Sequence, residues 1–247
     1  MGFMRRVLPV AVEKNLCAIV VSCNVQDQDE LSVPGMYDYQ EALRQAEYIV
    51  KQSRLADFAQ KAGAAVTLSG DTTASLRFFF FNDPIIIQIG ESVTMHIAGR
   101  QEELPVEEKI ILLHYLMQAN GAPPAGQWIT FRQIPDGHFY DAAFQRRTRT
   151  PFLLQFGHNP HLYRKCAEKL GGTHIEGGDV GMLFQALPNI PVQLLLWQGD
   201  EELPPESTLL FDAHISHYLP AEDIAVLSGM LIYRLIRVAK SESLSLS

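Results

Sequence analysis

Apolar residues recur every three to four positions through "YQEALRQAEYIVKQSRLADFAQKAG", residues 39–63. This pattern predicts an amphipathic helix that stops at Gly63. Beyond it the period shortens. "AVTL", "SLRFFFF", "PIIIQI" and "VTMHIA" are β-rich runs separated by "SGD", "NDP" and "GES", the punctuation of hairpins. "PVEEKIILLHYLMQAN" is helical again, with Gly121 as its stop. After a connector the cycle restarts. "PHLYRKCAEKLGG" reads as helix, "THIE", "GMLFQAL", "PVQLLLW" and "TLLFDA" as strands, and Pro220 to about Lys240 as a final helix. Short connections favour antiparallel pairing. The expected fold is α+β, with two related helix–antiparallel-sheet–helix halves.

The two cycles resemble each other residue by residue. "AQKAGAAVTLSGD" (Ala59 to Asp71) and "AEKLGGTHIEGGD" (Ala167 to Asp179) coincide at Ala59/Ala167, Lys61/Lys169, Gly63/Gly171, Gly70/Gly178 and Asp71/Asp179, always 108 positions apart. "PIIIQIGE" then matches "PVQLLLWQGD", and "LPVEEKIILLHYLM" matches "LPAEDIAVLSGML". Three matches in one order point to an internal duplication. The expected organisation is an N-terminal segment (1–35), a first half (36–120), a connector (121–150), a second half (151–240) and a tail (241–247).

The repeat sorts the candidate chemistry. Glu107 and Glu108 open a helix in one half, Glu222 and Asp223 in the other. A shared Leu-Pro-x-Glu-[Glu/Asp] opening suits Pro at the first helical position and carboxylates facing the positive end of the helix dipole, so all four read as structural. What is not shared is more informative. Where the first half has "GES", the second has "GDEELPPES" (Gly199 to Ser207), with Asp200, Glu201 and Glu202 consecutive. That loop is either a solvated acidic turn or a stiff lip for a cation or a partner. Asp212, His214 and His217 supply the ligand types of a divalent metal site, although their spacing matches no established motif. Asp212 and His214 alternate, so on a strand they share one face. Six strand residues place them up to ~20 Å from the acidic loop. The connector "GAPPAGQWITFRQIPDGHFYDAAFQRRTRT" concentrates Trp128, Phe131, Arg132, His138, Phe139 and Tyr140, groups that line pockets and also staple halves together. Trp128, Arg132, His138 and Tyr140, with Asp200, Glu201, Glu202 and Tyr218, are the candidate ligand-binding residues.

Composition narrows the class. With 247 residues, 47% of them apolar, the chain can bury a substantial core. A net charge of -8 argues against a nucleic-acid partner. Arg146, Arg147 and Arg149 are the dense basic run after the N-terminus, read as a solvated helix end. Cys17, Cys23 and Cys166 lack CxxC spacing and suit a reducing compartment. No window reaches the ~18 apolar residues of a membrane span. Residues 1–35 keep three readings: a lipoprotein signal with Val-Val-Ser-Cys before Asn24, sequence upstream of a start at Met36, or a disordered extension. GxGxxG after a strand, GxxxxGK[ST] and GxSxG are missing.

Two runs carry a resemblance. Trp-x-Gly-Asp-Glu-Glu (Trp197 to Glu202) and His-Tyr-Leu-Pro-x-Glu-Asp (His217 to Asp223), with the connector, resemble an uncharacterised bacterial domain-of-unknown-function family associated with anaerobes. The resemblance spans Tyr39 to Lys240. It implies a cytoplasmic protein near anaerobic redox or corrinoid metabolism, with a redox or corrinoid protein as the expected partner, and it brings no activity and no cofactor. Some members carry a cysteine-rich iron–sulfur module ahead of the domain. The present sequence has none, so electron transfer is not expected of it. Three functions stay open: a binding or accessory module, a metal-dependent enzyme using Asp212, His214 and His217, and a structural or oligomeric protein.

Overall fold

A computed structural model describes residues 36–69 and 73–245. The readings of residues 1–35, and Gly70 and Asp71 of the repeat, lie outside the described residues.

The first half comprises α1 (Met36–Lys51), α2 (Leu55–Ala62), strands β1 (Ala65–Ser69), β2 (Thr73–Phe80), β3 (Asp83–Ile89) and β4 (Val93–Ile97), and α3 (Val106–Gln118). The single helix expected over 39–63 is two, because the chain turns at 52–54. Ser53 Oγ donates to the Ile49 carbonyl there and closes the last turn of α1. A middle section holds β5 (Trp128–Thr130), a 3-10 turn (Phe131–Gln133), α4 (Gly137–Arg147) and α5 (Arg149–Phe156). The second half has α6 (Pro160–Lys169), β6 (Thr173–Ile175), β7 (Val180–Leu187), β8 (Ile190–Trp197), β9 (Glu206–Asp212), a 3-10 turn (Ala213–His217) and α7 (Ala221–Ser245). Helix α7 continues through most of the segment read as a tail.

The fold is α+β, as expected. Strands β1 to β4 form one antiparallel meander, and β6 to β9 form another, with β5 added along β9. Both halves thus have the same order: a helix, a four-stranded meander, a long helix. Alternation builds the first sheet. Leu76, Ile87 and Met95 stand opposite one another on three strands and are fully buried. Met182, Leu194 and Leu209 form the corresponding row in the second sheet. The unbroken apolar run of β8 has its own reason. Leu194, Leu195 and Leu196 are all buried, so this strand is covered on both faces.

The halves lock together through matching parts. Gly63 ends α2 in the left-handed conformation (φ 67°), and a Cβ there would lie 3.1 Å from the Pro188 ring in the β7–β8 turn. Gly171 (φ 78°), 108 positions on, would place a Cβ 2.9 Å from Asn82 in the β2–β3 turn. Each helix-end glycine therefore admits the central hairpin of the other half, where a side chain would be strained twice over. The helix openings behave in the same way. Glu108, in the first turn of α3, accepts from Arg234 of α7 at 2.7 Å. Asp223, in the first turn of α7, meets His114 of α3 at 2.7 Å. Dipole compensation is thus only part of what Glu108 and Asp223 do. Each also carries an ion pair across the seam between the two long helices.

Tyr115 ties three elements at one atom. Its hydroxyl donates to the Ala62 carbonyl at 2.7 Å and accepts from the Asn189 backbone N–H at 3.1 Å. Burial pushes its phenol far above the ordinary value, so it stays a donor at any working pH. Tyr115→Phe should leave a buried carbonyl and an N–H without this partner and cost about 1–3 kcal/mol, measured by urea unfolding. A loss below a few tenths of a kcal/mol would contradict the assignment.

Candidate functional site

The connector becomes the wall of a cleft. Its first strand, β5, pairs with the end of β9, placing Trp128 opposite Asp212. The chain then tightens into the 3-10 turn, where Gln133 Oε1 accepts from the Thr130 backbone N–H at 2.8 Å and from its hydroxyl at 3.0 Å. Helix α4 starts against this turn. A Cβ on Gly137 would stand 2.1 Å from the Phe131 carbonyl oxygen, so only glycine permits this approach. The result is a stack: the Phe131 and Phe144 rings are parallel with centroids 4.1 Å apart, and Phe144 meets Phe211 of β9 edge-on.

Between this stack, the N-terminus of α5 and strands β8 and β9 lies a cavity of about 450 Å³. Phe131, Phe144, Phe152 and Leu194 contribute apolar surface, and Arg132, Asp141, Gln145, Thr148 and Arg149 contribute polar groups. Thr148 is buried, and its hydroxyl donates to the Phe144 carbonyl. Arg149 is held at 2.6 Å from Glu206, the first residue of β9. Arg132 is different. Its side chain is 72% exposed and its nearest carboxylate, Asp141, stands 3.9 Å away. A guanidinium so weakly engaged keeps its donors for a ligand, and its planar fork suits a carboxylate or phosphate. A largely apolar pocket with a few polar groups converging on it is the usual form of a small-molecule site.

Of the other expected ligand residues, few join this cleft. Trp128 is partly exposed on the sheet edge. His138 and Phe139 are exposed with ring centroids 3.8 Å apart, and neither lines the cavity. Tyr140 is half-buried against the core. Tyr218 is buried, stacked on Tyr115, and donates to the Ala122 carbonyl at 2.6 Å. The acidic loop has a local explanation for one of its carboxylates. Asp200 accepts from the backbone N–H groups of Leu203 at 2.7 Å and Glu202 at 2.8 Å, and these bonds hold its pKa below the ordinary range. Glu201 and Glu202 are exposed, and Pro205 packs on Gly157 and Gly199.

Asp212, His214 and His217 do not converge as metal ligands. Strand β9 ends at Asp212, and His214 sits in the following turn rather than on the same strand face. Asp212 accepts backbone N–H groups from Ala125 and Gly126 at 2.8 Å each and from His214 at 3.0 Å. His214 Nδ1 faces Asp212 at 2.5 Å and its Nε2 faces the Asn189 carbonyl at 2.8 Å, which leaves neither ring nitrogen for a metal. His217 is exposed and bonds Asn120. Among the described residues no group of three or more His, Cys, Asp or Glu is placed to hold a metal ion.

Sequence reasoning passed over His114, inside an apolar helix, whereas Arg146 and Arg147 are exposed in the last turn of α4, the solvated helix end expected of them. His114 is buried against Asp223, with Glu222 also buried nearby, and its Nε2 has no partner. Burial pulls its pKa down, but the Asp223 hydrogen bond and charge, with Glu222 behind them, carry it above the usual histidine value. Its position five residues past Lys109 in an otherwise apolar run was the available signal. Among the described residues no helix is long and apolar enough to cross a membrane.

The family model described as "Domain of unknown function (DUF3786)" matches residues 54–234, most of the chain. No curated protein and no solved structure matches it.

Proposed function

We propose, from the premise that the chain belongs to this domain-of-unknown-function family, that it is a binding or accessory module with the Arg132 cleft as its ligand site. The ligand is a small planar molecule bearing a carboxylate. The carrying observation is Arg132 itself, a guanidinium with no close partner, held at the rim of a cavity with aromatic walls. Its fork would take the carboxylate, and the ring would lie against the apolar wall that Phe131, Phe144 and Phe152 line. Arg149, paired with Glu206, serves to hold the wall in place. A cytoplasmic setting in anaerobic redox or corrinoid metabolism, with a protein of that metabolism as partner, belongs to the same proposal and rests on the sequence resemblance.

Benzoate titrated by calorimetry is the simplest probe. Saturable binding is expected, weakened about tenfold or more in Arg132→Ala and only partly restored in Arg132→Lys, which keeps the charge without the fork. Binding that Arg132→Ala leaves unchanged would remove the cleft as the site.

A further inference from the structure

The basic run across the α4–α5 junction, read from sequence as one solvated helix end, is divided by the fold. Arg149 turns into the cleft described above. Arg147, two residues earlier, turns to the opposite side of buried Thr148 and lies across α7 at Gly229. A Cβ built on Gly229 would have the Arg147 Cβ at 3.5 Å and its Cδ at 4.0 Å, so the arginine stem runs over a helix position that offers no side chain. There it enters a second cavity, also about 450 Å³, bounded by α1, α3, α4 and α7. Arg234 and Arg237 of α7 line it with Arg147, against Glu107 and Glu108 of α3.

The three arginines are not equivalent. Arg234 is committed: its terminal nitrogens donate to Asp83 and Glu108 at 2.7 Å each, and the guanidinium lies over Phe80 and Phe81 at 5.0 and 5.2 Å. Its Nε is nevertheless buried without a partner. Arg147 and Arg237 are exposed, and among the described residues neither makes an ion pair. On a chain of net charge -8, a cavity lined by two exposed guanidinia that make no ion pair among the described residues favours an anion. Glu107 in the same wall limits how much negative charge it will accept, which favours a single phosphoryl group over a polyanion. Tyr39 and Tyr233 line the cavity and offer ring surface to an organic substituent.

We infer that this α4–α7 groove is a second ligand site, independent of the Arg132 cleft, which binds a phosphoryl dianion through Arg147 and Arg237. The test is titration of the ¹⁵N-labelled protein at low ionic strength, following the Gly229 amide, with inorganic phosphate and with phenyl phosphate as separate probes. Saturable shifts are expected with both, and sodium chloride at equal ionic strength should not reproduce them. Tighter binding of phenyl phosphate would mark the ligand as a monoester whose substituent meets the tyrosines. Equal affinity would mark free phosphate. Arg147→Ala and Arg237→Ala should each weaken binding about tenfold, and Arg132→Ala should leave it unchanged. Both arginines are exposed and form no ion pair among the described residues, so these variants should fold normally. No saturation with either probe, equal shifts from chloride, or phosphate binding that survives the double variant would each overturn the inference.

Discussion

Stability is expected to fall as pH rises from the ordinary histidine value of ~6.5 through the higher folded pKa of His114, and His114→Gln should abolish that slope. The folded pKa of His114 lies above its ordinary value near ~6.5, because Asp223 and Glu222 outweigh the cost of burial. A raised folded pKa means that the folded state holds the proton more tightly. The contribution is therefore complete below the unfolded pKa and lost as pH climbs through the folded one. The physical event is the loss of charge on a buried imidazole, which leaves the Asp223 carboxylate without its counter-charge at the α3–α7 seam. Urea unfolding at half-unit pH steps measures it. A second comparison separates the pair from its parts. His114→Leu alone should cost about 3–5 kcal/mol, since it strands a buried carboxylate. His114→Leu with Asp223→Leu should recover most of that loss, because a buried ion pair is often no better than apolar residues of similar volume. A double variant as unstable as the single one would mean that Asp223 supports something other than His114.

Asp212→Ala is expected to be the other costly change, about 3–5 kcal/mol, without any metal being involved. The substitution orphans the backbone N–H groups of Ala125, Gly126 and His214 together and frees the His214 ring. It would release the β5 strand from β9 at the point where the connector enters the sheet. Asp212→Asn keeps one acceptor oxygen and should cost less. The pH dependence has the opposite sign to that of His114. Burial pushes the Asp212 carboxyl up, yet its backbone and His214 hydrogen bonds hold it below the ordinary range. Its contribution is therefore present above the unfolded value of ~3.9 and lost as pH falls through the lower folded one. Acid unfolding of the wild type and Asp212→Asn gives the comparison, and the difference between them should shrink as pH falls below the ordinary carboxylate value of ~3.9. Addition of a chelator should move neither curve. A chelator-dependent melting temperature in the wild type that disappears in His214→Ala would restore a metal role.

The helices, the β-rich runs and the hairpins that join them could be read along the chain, because they depend on short-range signals; the break between α1 and α2 and the pairing of β5 with β9 could not. Alternation places Leu76, Ile87 and Met95 on inward faces, and the "NDP" and "GES" turns force neighbouring strands together. The sequence also placed Glu108 and Asp223 in helix first turns, which is where they lie. What those carboxylates reach could not be read there. Asp223 and His114 are separated by 109 positions, and Glu108 and Arg234 by 126, so their meeting depends on how two separately patterned halves pack. The Asp212-x-His214 reading failed for a more local reason. Alternation puts both on one face only if the strand continues, and here Asp212 ends the strand by capping the turn that follows. The arginines at the α4–α5 junction form one charged cluster in sequence. The buried Thr148 at the α4–α5 junction, with its hydroxyl on the Phe144 carbonyl, turns Arg147 and Arg149 to opposite sides, and that divergence exists only once α4 is packed between β9 and α7.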